Sequence, residues 1–221
     1  VESGSPRVPE ELAWTIVQLA SLEFARGHLA EARTDYDNAL RVFPNHPPAL
    51  DGRGRVKHLQ GDLVGAIADL TAAVEGATTT EYLIHLGEAQ DAAGRTADAA
   101  LTFARAERAG RRSDPRALAL YYADHDREHA AAVELSRREL AARPDDVYSL
   151  DVLAWALARA GQLPEAAQLI DRARRMRTRE ARFAYHAGVI ALGLGHRPEA
   201  LVLLREALGT DRKSTSLNSS H

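Results

Sequence analysis

Cysteine is absent from this 221-residue chain, which removes disulfides, thiolate nucleophiles and thiolate metal sites in one stroke. Aromatic residues make up only 5%, there is one methionine, and lysine occurs only at Lys57 and Lys213. So few aromatics beside so much alanine suit closely approaching helices better than a strand-rich sandwich. No run reaches the roughly 20 apolar residues that a membrane-spanning helix needs. Charge of one sign is missing too: a formal net charge of −3 and a pI near 6.3 give no field that would gather nucleic acid or anionic lipid. No strand-loop-helix phosphate cradle and no G-x-S-x-G elbow appears, so enzymatic chemistry has little support. No methionine or signal segment opens the chain at Val1. Cytoplasmic and, with a leader lost upstream, periplasmic or secreted locations stay open.

What is present is a helical alternation of 45% hydrophobic with 27% charged residues. The stretch Asp146 to Met176 reads as one complete unit. Leu150, Leu153, Ala154 and Leu157 form one helical stripe, and Leu163, Ala166, Ala167, Leu169, Ile170 and Ala173 a second. Between them Gly161 can adopt the left-handed conformation that ends a helix, and Pro164 fits the first turn of the next. Two helices joined so tightly lie antiparallel, and a lone pair cannot cover its outer faces, so it needs copies of itself on either side.

Sliding this unit along the chain places turn positions at Gly27, Gly61, Gly94, Arg127, Gly161 and Gly195. An alanine follows five residues later at Ala32, Ala66, Ala99, Ala132, Ala166 and Ala200. The next framework position holds Tyr36, Leu70, Phe103, Ser136, Ile170 and Leu204. A near-constant interval of about 34 residues marks a helical array.

On these residues, with Ile16, Leu19, Ala20, Ala39 and Pro44 completing the first copy, the chain resembles the tetratricopeptide repeat family. The resemblance implies an all-α, right-handed α-solenoid of about six antiparallel helix-turn-helix repeats. Copies are expected near 13–46, 47–79, 80–112, 113–146, 147–180 and 181–210, within a 10–210 solenoid. Residues 1–9 are expected to be a flexible lead-in. Residues 211–221 are expected to be an unstructured tail that resembles a translated sequencing adapter. The fourth copy departs from the pattern at Arg127, Ser136 and Glu139, which predicts a longer or irregular turn at Ala123 to Glu128 and a candidate hinge. Alanine richness and scarce lysine hint at a GC-rich bacterial source.

In that family the first helix of each pair lines a concave, ligand-facing side. The positions carried over are Trp14, Val17 and Ser21; Asp51, Arg55 and His58; Glu81, Ile84, Glu88 and Asp91; Tyr121 and Asp124; Tyr148, Asp151, Trp155 and Arg159; and Arg182, Tyr185 and Val189. The resemblance therefore implies a non-catalytic scaffold for another protein or peptide, with no cofactor, no bound metal, no nucleic acid and no membrane insertion. Tyr148, Trp155 and Tyr185 are the expected anchors, and Trp155→Ala and Tyr185→Ala are expected to weaken capture without unfolding the array. An uncapped last repeat, with Val202 and Leu203 on its outer face, offers a route to self-association. The alternative is the repeat region of a larger enzyme or regulator.

Two patterns compete with this reading. His125-Asp126-Arg127-Glu128-His129 matches H-x-x-E-H, a zinc-hydrolase pattern, but it straddles the predicted turn and lacks a third ligand, so a solvated turn is the better reading. Arginines at 105, 108, 111, 112 and 116, and at 172, 174, 175, 177, 179 and 182, are interrupted by acids and read as solvated helix-end faces.

Overall fold

The computed structural model describes residues 7–178 and 180–216, and within them twelve helices and no strand. They are α1 (Arg7–Ala25), α2 (Leu29–Val42), α3 (Pro47–Leu59), α4 (Leu63–Gly76), α5 (Thr80–Ala92), α6 (Thr96–Ser113), α7 (Pro115–Asp124), α8 (His129–Ala142), α9 (Val147–Arg159), α10 (Leu163–Arg175), α11 (Ala181–Gly193) and α12 (Arg197–Ser216). None of them is long and apolar enough to cross a membrane. The chain divides into two compact units, residues 1–109 and 110–221, with the boundary inside α6 and not at the irregular turn of the fourth copy.

Each unit is built by one rule. A helix ends on a glycine held at positive φ, as at Gly61 (φ 81) and Gly161 (φ 78), where a side chain would clash with the following carbonyl. The N–H of Gly161 then reaches back to Ala158 and that of Gln162 to Leu157, which satisfies carbonyls left open at the end of α9. The helices α4, α5, α7 and α9 start on a side-chain cap. Asp62, Thr79, Asp114 and Asp146 accept the N–H of Gly65, Tyr82, Ala117 and Ser149 in turn. In unit 1, α1 packs on α2 and α3 on α4, with α1, α3 and α5 side by side. In unit 2, α7 packs on α8, α9 on α10 and α11 on α12, with α7, α9 and α11 side by side.

Small residues set these approaches. Ala13, Ala20, Ala32, Ala39 and Ala49 line the first core with Tyr36, and Ala154, Ala166, Ala173 and Ala187 line the second with Leu157, Ile170 and Ile190. Gly52 faces the Tyr36 ring so closely that a Cβ there would overlap its carbons. Gly52→Ala is therefore expected to cost about 1–3 kcal/mol through overpacking, read as a lower midpoint in urea. Between successive pairs Arg53 donates to Asp37 on α2 and, through two nitrogens, to Asp69 on α4. Those hydrogen bonds, Asp69 first, hold its guanidinium above its ordinary pKa against the opposing effect of burial.

The sequence expectations are corrected at three places. α1 already begins at Arg7, so residues 7–9 are helical: Pro9 sits in the first turn, where its missing N–H has no partner to lose. α12 runs on to Ser216, so 211–216 are helical as well, because Asp211, Arg212 and Lys213 carry no helix breaker and each added residue closes another hydrogen bond. In the fourth copy the left-handed residue is Asp126 (φ 54), not Arg127, with a second at Glu128 (φ 50). The N–H of Asp126 bonds Ala123 and that of Arg127 bonds Tyr122, matching Gly161 and Gln162, so the turn gains one residue after the αL position. Residues 1–6, Arg179 and 217–221 lie outside the described residues.

His46, which precedes α3, is buried with its ring edge-on to Phe43, and burial holds its imidazole below the ordinary 6.5 although Glu10 pulls the other way. The unfolded chain therefore takes up this proton more readily, and stability is complete above 6.5 and falls as pH drops through the folded value. Between about pH 7.5 and about pH 5 the wild-type Tm is expected to fall further than that of His46→Gln.

Candidate functional site

A linked set of polar and aromatic side chains lies on the odd-numbered helices of unit 2. Its centre is Asp151, the fifth residue of α9 and 0% exposed. The Nδ1–H of His186, on α11, donates to its Oδ1 at 2.8 Å. Arg182, one turn earlier on α11, places Nε 3.1 Å from Oδ2, an ion pair whose angle makes no hydrogen bond. A carboxylate removed from water is tolerated only with such partners.

His186 in turn lies flat on Trp155, with ring centroids 4.3 Å apart and planes at 6°. The Trp155 indole N–H donates to Asp124 at the end of α7 at 2.8 Å. Arg159 stands 5.4 Å from the Trp155 ring and pairs with Asp126 at 2.8 Å. Tyr185 covers the edge of this stack, 6.1 Å from Trp155, and is itself 48% exposed. At the N-terminal ends of the same helices the Tyr148 ring has Arg116 at 5.9 Å and Arg182 at 6.0 Å from its centroid, and packs edge-on against Phe183. Asp146 caps α9 and pairs with Arg116. Burial pushes its carboxyl pKa up, but the Ser149 hydrogen bonds, the Arg116 charge and the Tyr148 N–H together outweigh that and leave it below its ordinary value.

The predicted anchors therefore separate. Trp155 is only 5% exposed and is a buried platform instead of an exposed contact. Every residue from Ser149 to Leu157 is buried, because α9 is flanked by α7 and α11 as well as by α8 and α10. Asp151 and Tyr121 are buried too, Tyr121 against Tyr122 and His125. Tyr148 and Arg159, at the two ends of α9, are half-buried, as is Val189, and Tyr185 is exposed.

In unit 1 the predicted positions lie on the odd-numbered helices α1, α3 and α5. Trp14 is 55% exposed and Val17 buried, and Ser21 shares a hydrogen with Tyr36 at 3.2 Å. Arg55 lies over Phe24 at 4.5 Å, His58 and Glu88 are half-buried, Ile84 is buried, and Glu81 and Asp91 are exposed. Asp51 is buried and bonded to His85 Nδ1 at 2.7 Å. Beside it burial, helped by Asp51 and Glu81, pushes the Tyr82 phenol up to about 12.

Asp51 with His85 and Asp151 with His186 are the same device: the fifth residue of one odd helix bonded to the sixth residue of the next. The histidines were missed in the sequence, although an Asp followed about one repeat later by a His occurs in both halves. Arg116 was read only as part of a solvated face, and Leu192, 51% exposed on the Tyr185 side of α11, was also missed. His125 caps α7, bonded to the Tyr121 carbonyl, whereas His129 begins α8 beside Asp126, so the two imidazoles share no helix. Among the described residues no three His, Asp or Glu side chains come together in a way that could hold a metal.

A tetratricopeptide repeat family model matches residues 17–81 and 152–215, more than half of the chain. The chain belongs to the tetratricopeptide repeat family. Tetratricopeptide repeat protein 36 of Bos taurus is 29% identical over 110 residues, which are 48% of this chain and 58% of that protein. The Homo sapiens protein of the same name is 33% identical over 89 residues, 38% of this chain and 47% of that one. This tetratricopeptide repeat chain thus spans about half the length of the relatives it matches. Among solved structures, a tetratricopeptide repeat protein from Parabacteroides merdae superposes with a TM-score of 0.52 at 16% identity, over 90% of this chain and 79% of that one. A chain of the APC/C hetero-tetramer Cut9-Hcn1 gives 0.54 at 16% identity, over 94% and 40%. PilW, a type IV pilus biogenesis factor, gives 0.51 at 20% identity, over 87% and 90%. At such identities these likenesses concern the fold alone.

Proposed function

We propose that this tetratricopeptide repeat chain is a non-catalytic scaffold that holds a peptide segment of another protein against the odd-helix face of unit 2. The observation that carries the reading is the row Tyr185, Val189 and Leu192 on α11: spaced three and four residues apart, it leaves two large side chains about half exposed above a buried support. An aromatic ring with a polar edge, held by packing beneath it, offers contact area at low entropy cost. Tyr185→Ala removes that area and little else, so it is expected to weaken partner capture by about tenfold while thermal unfolding shifts by less than about 1 kcal/mol equivalent. Capture and unfolding measured on the same preparation check this, and unchanged capture counts against the groove.

A second reading is favoured by α12, where Leu201, Val202 and Leu208 are exposed. Their counterparts on α8 and α10 include Val133, Leu140 and Ala167, which pack into the core of unit 2. Leu203, expected outside, is buried instead. Self-association through this face would appear as a concentration-dependent mass in light scattering that Leu201→Glu abolishes.

A further inference from the structure

We infer that the segment held on the odd-helix face of unit 2 is acidic at one end and apolar along the rest, its carboxylate being read by Arg116 and Arg182. The inference rests on the groove reading above and adds the chemistry of the occupant. Arg116, Tyr148 and Arg182 are the second residues of α7, α9 and α11. The helices therefore bring a guanidinium, a phenol ring and a second guanidinium into one row, both cations within 6.0 Å of the same ring centroid. Both arginine side chains keep more than a third of their surface exposed.

The carboxylates beside them are turned to other work. Asp151 lies behind the row, fully buried and shared with His186, and it meets Arg182 through Nε. Because a guanidinium is a rigid plane, an Nε turned inward leaves the two terminal nitrogens as a free fork, and among the described residues no acceptor is bonded to them. Asp146 accepts from both the N–H and the hydroxyl of Ser149 as the cap of α9, and reaches Arg116 only at 3.4 Å. Glu180, which accepts a long 3.5 Å bond from Tyr148, and the exposed Asp145 beside the α9 cap are the acids at this end that neither cap a helix nor lie buried. The open fork of Arg182 over a buried carboxylate, with the exposed guanidinium of Arg116 held only by a long bond to a capping carboxylate, suits an added carboxylate better than an added cation.

The apolar part of the row fixes the spacing. From Arg182 to Leu192 the helix advances about 15 Å at ~1.5 Å per residue. An extended segment covers that length in about five residues, so its acidic side chain stands two to five residues from the apolar ones that meet Tyr185, Val189 and Leu192.

The test titrates the intact chain with end-capped peptides of sequence Glu-Ser-Leu-Ser-Leu-Ser, in forward and reversed order, and with counterparts carrying Gln or Lys for Glu, at low and high salt. The Glu peptide in one order is expected to bind several-fold to about tenfold tighter than its Gln counterpart, with the preference shrinking as salt rises. Arg182→Lys keeps a cation over Asp151 but loses the fork, and Arg116→Gln removes the second cation. Each is expected to cut the Glu preference, whereas Tyr185→Ala weakens Glu and Gln peptides alike. Equal binding of Glu and Gln peptides, or preference for Lys, would overturn the acidic reading and leave the groove standing. Failure of every peptide to bind a chain that is still helical by circular dichroism would remove the groove itself.

Discussion

Trp155→Ala is expected to lower stability by about 3–5 kcal/mol, the range for emptying a large buried aromatic site. In a chain of this length that is a fall in Tm of roughly 10 °C. The indole is 5% exposed, and its loss would leave the face of His186 uncovered and Asp124 without its N–H donor. Loss of partner binding in this variant would therefore follow from a loosened support, not from a lost contact. The contrast with Tyr185→Ala is diagnostic, because the two rings are 6.1 Å apart yet one is buried and the other half exposed. Thermal unfolding followed by near- and far-ultraviolet circular dichroism separates them, and near-identical Tm shifts for the two variants would contradict this division.

Asp151→Ala is expected to be of similar size, about 3–5 kcal/mol, because removing one member of a buried charged pair strands the others. His186, 2% exposed, would keep an Nδ1–H with no acceptor, and Arg182 would lose the carboxylate that fixes its plane. Asp151→Asn retains an oxygen for His186 but not the charge facing Arg182, so a smaller loss is expected. The matching change in unit 1, Asp51→Ala, is also expected to cost less, since Asp51 and His85 side chains retain 8% and 14% exposure against 0% and 3% for Asp151 and His186. Urea unfolding of all three variants checks the order, and an Asp51→Ala loss larger than that of Asp151→Ala would contradict it. Repeat arrays can unfold in stages, so each variant is read from its own unit, the Asp151 variants by the near-ultraviolet signal of unit 2 aromatics and Asp51→Ala by that of unit 1 aromatics.

The helix pairs were legible because their determinants are local. A glycine at positive φ and an alanine five residues on specify turn and close approach whatever lies beyond, and they recur at Gly27, Gly61, Gly94, Gly161 and Gly195. The fourth turn was misplaced by one residue because Asp126 takes the left-handed position that sequence alignment assigned to Arg127, asparagine and aspartate being the side chains best able to do so after glycine. The candidate site was only half legible. Trp155 and Tyr185 were both expected to face ligand, yet α9 is flanked on four sides and α11 leaves Tyr185 exposed. Depth of burial is a property of neighbours about 34 residues away, which no local spacing reports. The Asp–His pairs were hidden for the same reason, since each bond joins residues 34 or 35 positions apart.

Amide hydrogen exchange of the intact chain, free and saturated with the tightest-binding acidic peptide, tests the central claim most directly. Slowed exchange along α11 and in the first turns of α7 and α9, with α8 and α10 unchanged, is the expected result. Slowing confined to α8, α10 or α12, or spread evenly over the whole chain, would contradict a binding face built from the odd-numbered helices of unit 2.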